Sequence, residues 1–543
     1  MKKIFLPIVV CLATAMSANA VDAGNANIYA SGLKVLNGGS DVQFVLNAPG
    51  DVTVNFYKEG VTDAVYSISK TGLEKGTHTV SLTGVLPDAV KEGDQLSWEV
   101  VASAEAKTAW VGFSAKAAGL SEIPADQKMC YPVGIAVDKN PKSPFFGNIY
   151  LLNNNSGTVG GFDVANSNLG TGVYIYNSLI ECQNPGENHE TVYSGGVNWG
   201  NTLDSDRCAN ISVSPADITV DDDGFVYISD MSTETGGVYR MNPANPESDF
   251  EKILTVTTDN HNGVCGLAVI GTGDEKTLWT VNMNLAFLSD TERPLSGYLY
   301  KYNLNKLAND KTYTGEKVLE IKDYTMGGRN NTYLAPDRRG GVWLAQRWNS
   351  SSRGYFTLVH VNKNSEVSSF GNLKYWDDYF GTFTKNTISA YAMGLDTNSD
   401  GTKVVIGVYG AIGVQDITYD EKGNVATYEN SSNYLAGYSG NSNNNSKINH
   451  LVNGVAYDAV GNVYVADWSD YFQAYASLPA ENKYTTPANE HVTVSKEMTG
   501  VESTIADENA PVEYFNMQGV KVNAPENGIF IKKQAGKTTK VIL

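Results

Sequence analysis

The 543-residue chain is poor in several things, and each shortage removes a class of function. It has 5 cysteines and no Cys-x-x-Cys pair, which excludes zinc-ribbon and thioredoxin-like readings. It has 6 histidines and no His-Glu-x-x-His, and it lacks both a Gly-x-Ser-x-Gly elbow and a phosphate-cradling glycine loop. Positive charge is scarce: 40 Lys and Arg stand against 59 Asp and Glu, for a net charge of -19. Nothing in that balance would attract nucleic acid or an anionic membrane surface at long range.

Long apolar runs are also missing, with one exception. Residues 4–13 are apolar, follow Lys2 and Lys3, and precede Ala18-Asn19-Ala20, a small-x-small cleavage pattern. The run is too short to span a bilayer, so residues 1–20 are predicted to be a secretory signal peptide, with no transmembrane segment in the mature chain. Cys11 lies within the run behind Val10, not behind a small residue, so no lipoprotein site is expected. Loss of Lys2 and Lys3 takes the net charge from -19 to about -21. Export sets Cys130, Cys182, Cys208 and Cys265 in an oxidising compartment, where a Cys182–Cys208 bridge and four buried thiols both remain open.

What is present is alternation with period two. Between residues 27 and 113, Val42-Gln43-Phe44-Val45-Leu46, Val52-Thr53-Val54-Asn55-Phe56-Tyr57, Thr77-His78-Thr79-Val80-Ser81-Leu82 and Leu96-Ser97-Trp98-Glu99-Val100-Val101 read as strands of a small β-sandwich. The order of these strands resembles the Ig-like module of flagellar hook-capping proteins and many bacterial surface proteins, which implies a spacer or docking role. His78 reads as a structural strand residue.

A longer unit recurs after residue 130. Asp217-Ile218-Thr219-Val220, the turn Asp221-Asp222-Asp223-Gly224, Phe225-Val226-Tyr227-Ile228-Ser229-Asp230 and Gly237-Val238-Tyr239-Arg240-Met241 make three strands of one blade. Five further copies begin at Gly134-Ile135-Ala136-Val137-Asp138, Gly266-Leu267-Ala268-Val269, Tyr333-Leu334-Ala335-Pro336-Asp337, Met393-Gly394-Leu395-Asp396 and Asn453-Gly454-Val455-Ala456-Tyr457-Asp458. Outer strands are expected at Lys252-Ile253-Leu254-Thr255-Val256 and Lys317-Val318-Leu319-Glu320-Ile321. One blade exposes apolar surface on both faces, and six stacked around an axis bury it. These blades resemble NHL-type six-bladed propellers, an architecture shared with gluconolactonase-like enzymes.

The expected architecture is therefore all-β. It comprises a signal peptide (1–20), a β-sandwich (21–118), a six-bladed β-propeller (119–495), and a linker with a small β-rich C-terminal module (496–543). That last module carries Tyr514-Phe515-Asn516-Met517-Gln518-Gly519-Val520-Lys521-Val522, Gly528-Ile529-Phe530-Ile531 and a terminal Lys540-Val541-Ile542-Leu543. These pieces resemble the C-terminal sorting domain of Bacteroidetes secreted proteins, which implies type IX secretion and attachment to the outer cell surface; a structural cap is the alternative.

Candidate ligand groups follow from position in the repeat. Second strands end at Asn153, Asp230, Asn282, Gln346, Val408 and Asp467, followed by Asn154, Met231, Met283, Arg347, Tyr409 and Trp468. Trp348, Tyr409 and Trp468 follow the strands of three consecutive blades and would form an aromatic arc at one mouth of the propeller. Aromatic faces beside amides, carboxylates and a guanidinium suit sugars, whose C–H faces stack while their hydroxyls are hydrogen-bonded. The predicted binding set is Asp217, Asp230, Asn282, Gln346, Arg347, Trp348, Tyr409, Asn453, Asp467 and Trp468. Packing of the polar groups against blade backbone and of the aromatics against loops is the competing account.

Metal chemistry finds less support. Asp396-Thr397-Asn398-Ser399-Asp400-Gly401 opens like an EF-hand loop, but Gly407 stands where a bidentate Glu is needed, so it and Asp221-Asp222-Asp223-Gly224 read as blade turns. The gluconolactonase-like resemblance implies a divalent metal held by one Glu, two Asn and one Asp. Only Asn453 matches, with Asp217 a possible second ligand and no Glu beside Val133-Gly134. No metal or cofactor is predicted. The favoured function is an exported, surface-associated propeller binding an extracellular glycan or other small ligand, with other cell-surface proteins as a further partner class. The alternatives are a lactone-hydrolysing or polysaccharide-cleaving enzyme using Asp217, Asp230, Asp467, His261 or His450, and a protein-protein scaffold.

Overall fold

The computed structural model describes residues 26–120, 122–129, 132–153, 172–183, 197–198, 215–230, 236–246, 248–256, 263–283, 297–320, 332–346, 358–370, 392–408, 411–435, 452–467, 471–496, 498–499, 512–516, 520–523, 525, 528–534 and 537–542. The chain is all-β, a six-bladed β-propeller preceded by a small β-sandwich and followed by a small β-rich module.

The propeller's inner strands are Pro132–Val137, Ile218–Val220, Gly263–Ile270, Thr332–Pro336, Ala392–Thr397 and Val452–Tyr457, in blades one to six. Each touches the inner strand of the next blade, and the sixth touches the first, so the ring is closed. Glycine makes that closure possible. A Cβ on Gly394 would stand 2.6 Å from the Val455 amide nitrogen, and one on Gly454 would stand 3.1 Å from the Gly134 Cα. In blades one, three, five and six a β-bulge precedes that glycine, between Pro132 and Gly134, Val264 and Gly266, Ala392 and Gly394, and Val452 and Gly454. The bulge turns one extra side chain per strand out of the ladder, Asn453 among them.

The expected outer strands are present as Phe250–Thr255 and Glu316–Glu320. The sixth blade departs from the linear repeat. Its outer strand is Val111–Gly112, which pairs with Tyr471–Ala476 and so closes the ring with chain from before the first blade. Phe113 N–H donates to the Ala474 carbonyl at 2.8 Å and Ala474 N–H to Ser114 Oγ at 2.9 Å.

The sandwich is completed by a second crossing. One sheet contains Ala30–Leu36, Asp41–Leu46 and Gly76–Ser81; the other contains Tyr66–Leu73, Gly50–Lys58 and Gln95–Ser103. Onto Gln95–Ser103 come Lys483–Pro487 and Val492–Thr493, strands that follow the last blade and fall inside the 119–495 span expected for the propeller. Val42, Phe44, Val54, Phe56, Trp98 and Val100 are buried between the sheets, as their alternation requires. The same apolar cluster continues into blades one and six through Ile135, Leu151, Tyr464 and Phe472. Polar bonds reinforce the junction: Asn27 N–H donates to Asn462 Oδ1 at 2.7 Å, and Asn462 Nδ2 returns a bond to the Asn27 carbonyl at 2.9 Å. The sandwich is thus packed into the propeller wall and is no swinging spacer.

The C-terminal module is a four-stranded sheet of Glu513–Phe515, Lys521–Val522, Ile529–Gln534 and Lys537–Ile542. Cys182 and Cys265 are buried; Cys130 and Cys208, and with them the expected Cys182–Cys208 alternative, lie outside the described residues.

Candidate functional site

The bulge register confirms that Asn153, Asn282, Val408 and Asp467 are equivalent, since they pair with Pro132, Val264, Ala392 and Val452. Gln346 pairs with Thr332 and ends its strand likewise. The Asn282 and Asp467 side chains are turned into their own blades. Asn282 is fully buried; its Oδ1 accepts from Thr280 Oγ1 at 2.6 Å and its Nδ2 donates to the Tyr302 hydroxyl at 3.3 Å. Asp467 is equally buried and accepts from Gln473 Nε2, whose Oε1 in turn accepts from the Tyr475 hydroxyl. Asp230 is buried too, and its charge acts on Lys252 in the outer strand of the same blade, against a burial that pulls the Lys252 ammonium below its usual pKa. These residues consolidate third and outer strands, an arrangement that binds each blade internally.

Two of the proposed residues do reach the axis. Asp217 stands one residue before its strand and spends Oδ1 on its neighbour Ile218 N–H at 2.9 Å and Oδ2 on Leu267 N–H of blade three at 3.2 Å; the Leu334 amide of blade four also bears on it. Burial outweighs these donors and holds the Asp217 carboxyl well above the usual carboxylate range. Asn453, re-aimed by its bulge, donates from Nδ2 to the Pro132 carbonyl of blade one at 2.9 Å and accepts from the Tyr333 hydroxyl of blade four at 3.3 Å. Tyr333 therefore crosses the axis beneath the proposed mouth. Its signal in the sequence is a tyrosine at the position where blades one, three, five and six have glycine.

At the opposite, turn end a regular pattern holds. Asp221 Oδ1 accepts from Asp223 N–H and Phe225 N–H, Asp337 Oδ1 from Arg339 and Gly341, and Asp458 Oδ1 from Val460 and Asn462, all between 2.7 and 3.0 Å. These are Asx turns closed by left-handed glycines such as Gly224 (φ 86°) and Gly461 (φ 85°). The second oxygens reach side chains: Asp221 meets Lys276 Nζ at 2.6 Å and the Tyr227 hydroxyl at 2.8 Å, and Asp337 meets His360 Nε2 at 2.9 Å. The acidic turn is framework, as expected of a blade turn. Burial raises Asp138 to about 7 and Asp458 to about 6.

The axial channel between the two ends has a cavity volume of about 30 Å³, narrow enough to admit only water-sized groups. It runs from Asp217 and Tyr333 to Lys139, Asp396 and Arg338. Lys139 and Arg338 were not singled out from the sequence, and Asp396 was weighed only as the start of a loop read as a blade turn, although it occupies a position that is alanine in blades one, three, four and six.

Arg347, Trp348, Tyr409 and Trp468, with His261 and His450, lie outside the described residues, as does the side chain of Gln346. Among the described residues no group of three or more His, Cys, Asp or Glu side chains is arranged to hold a metal. Asp217 and Asn453, the two residues compared with a lactonase ligand set, have their oxygens engaged by protein donors, which does not fit metal coordination.

No protein-family model and no curated protein matches the chain. Among solved structures it is similar to a structural-genomics protein of unknown function from Bacteroides thetaiotaomicron VPI-5482, at 13% identity and a TM-score of 0.39, over 83% of this chain and 98% of that one. It is also similar to regucalcin, a calcium-binding protein from Agrobacterium tumefaciens str. C58, at 11% identity and a TM-score of 0.34, over 68% of this chain and 95% of that one. At these values the likenesses say nothing of ligand or activity.

Proposed function

We propose that the protein is exported and associated with the cell surface, where the propeller binds an extracellular glycan at the mouth formed by the second-strand ends. One observation carries this reading: blades four, five and six are consecutive in the closed ring, and Gln346, Val408 and Asp467 end equivalent strands at one face. Trp348, Tyr409 and Trp468 follow those ends within two residues. Three aromatic rings supplied to one sector of a rim suit the apolar faces of sugar rings, and Arg347 and the neighbouring amides suit their hydroxyls. Residues 1–20 would direct export, the sandwich would be Ig-like, and the C-terminal sheet would serve sorting and surface attachment. Asp217, Asp230 and Asp467 are buried and act on protein groups, so none is positioned as a free general base for the hydrolytic alternative.

The test is a glycan array probed with mature protein, with and without chelator. Binding that survives chelator and is lost in the Trp348→Ala, Trp468→Ala double variant, at unchanged melting temperature, is the expected result. Binding that persists in the folded double variant would place the ligand elsewhere, and no binding to any glycan would leave the scaffold reading in its place.

A further inference from the structure

The turn end of the axial channel contains an unusual meeting of cations. Blades one and four face each other across the ring, and each sends one cation over the axis to a blade beyond its neighbour. Lys139 of blade one donates to Asp396 Oδ2 at 2.5 Å and to the Thr397 carbonyl at 2.6 Å, both in blade five. Arg338 of blade four donates from Nη1 to Asp222 Oδ1 of blade two at 3.1 Å. The two side chains are 8% and 15% exposed, so both charges are largely withdrawn from water.

Their compensation is incomplete. Asp396, which balances Lys139, also accepts from Thr397 N–H and Tyr457 N–H, and Asp222, which balances Arg338, is 42% exposed and correspondingly weakened by solvent. Lys139 uses two of its three hydrogens, and Arg338 Nε is buried with no hydrogen-bond partner among the described residues. A buried guanidinium N–H left unsatisfied is destabilising, because it has given up water without gaining an acceptor. The two cations also repel each other, which adds to burial in depressing the Lys139 pKa. Arg338 holds its position at a backbone cost, since its φ of 64° lies in the left-handed region. In the equivalent turn position blade five has Ser399 and blade six has Ala459, so the turn itself does not call for a cation.

We propose that the turn end of the channel is a binding site for a small inorganic monoanion of chloride size, held between Lys139 Nζ and Arg338 Nε. Such an ion satisfies the orphaned Nε–H, takes the third lysine hydrogen and screens the two cations from each other. The narrow channel, walled by Ile135, Val137, Val220, Leu395 and Pro336, leaves no room there for a larger organic acid. The site lies at the end away from the proposed glycan mouth and does not depend on that reading.

Thermal unfolding in sodium chloride against sodium gluconate at equal ionic strength tests it. The wild-type melting temperature should rise with chloride and saturate. Arg338→Gly is the informative variant, because glycine adopts the left-handed conformation without strain and the chain should fold at least as well in gluconate. It should lose the chloride-dependent rise. No rise in the wild type, or an equal rise in Arg338→Gly, would overturn the proposal. Crystals of the wild-type chain grown in bromide give a reading independent of any variant: an anomalous peak in contact with Lys139 Nζ and Arg338 Nε supports the site, and none there removes it.

Discussion

At the turn end of the propeller, Asp221, Asp337 and Asp458 accept the same pair of backbone amides in each blade, whereas at the mouth end Asp217, Asp230 and Asp467 each meet a different partner. Repetition at one end marks a local device, a side chain closing its own hairpin, which any blade can use without reference to its neighbours. Variety at the other end first suggests function, because a ligand is not six-fold symmetric. The hydrogen bonds temper that suggestion: Asp467 and Asn282 tie strands within a blade, Asp230 acts on its own outer strand, and Asp217 and Asn453 tie blades across the axis. Irregular strand ends are therefore partly the means by which unequal blades are fitted into a closed ring.

If the turn end is framework, its disruption should cost more than disruption at the mouth. Lys276 Nζ lies 2.6 Å from Asp221 Oδ2 and 2.5 Å from Asp223 Oδ2, and the Asp221 side chain is only 1% exposed. Burial works against the Lys276 charge, but the two carboxylates outweigh it and raise its pKa. Lys276→Met leaves Asp221 as a buried anion without its cation and should destabilise by about 3 kcal/mol in denaturant titration. A loss below about 0.5 kcal/mol, the range of ordinary surface substitutions, would show the turn network to be ornamental.

A smaller loss is expected at the mouth. Asn282→Ala strands Thr280 Oγ1 and removes a partner of the Tyr302 hydroxyl, so about 1–3 kcal/mol should be lost while glycan binding by the folded protein stays unchanged. Loss of binding at full stability would instead return Asn282 to the ligand set.

The repeats were legible because every blade restates the same inner strand, turn and second strand, and Asp221-Asp222-Asp223-Gly224 was read correctly as a turn for that reason. Two features were not legible. Val111–Gly112 and Lys483–Pro487 each pair with partners hundreds of residues away, and strands this short or this polar carry no periodic signal of where they will dock. The axial charges were missed for a related cause. Lys139 and Arg338 sit in turns, where a charged residue is ordinarily solvated, and only closure of the ring brings them to the channel. The strand ends that precede Trp348, Tyr409 and Trp468 in the sequence have a fixed register, while those three residues themselves fall outside the described residues.

Burial raises carboxyl pKa values at both ends, Asp217 at the mouth and Asp138 and Asp458 at the turns, and Asp138 offers the finest test of the turn end. Asp138 departs from its counterparts because its Oδ2 accepts from the Ser143 hydroxyl and finds no buried cation of the kind Lys276 gives Asp221; burial lifts its pKa to about 7. Asp458, likewise buried, is lifted to about 6. In the unfolded chain both return to the ordinary aspartate value near 4. Between pH 4 and these raised values the folded state binds more protons than the unfolded state, so the stability these groups contribute is full below pH 4 and falls as pH rises. The slope can reach about 1.4 kcal/mol per pH unit for each group. Asp138→Asn keeps the Oδ1 acceptor for Asn140 N–H and can donate to Ser143 Oγ, so the turn should survive. Denaturant titrations from pH 4 to 8 should then show a shallower decline than in the wild type, with the decline between pH 6 and 7 reduced and the parts owed to Asp458 and Asp217 retained. Superimposable pH profiles for the two proteins would mean that Asp138 ionises in the fold as readily as in the unfolded chain, and that the turn end is more open to water than its packing indicates.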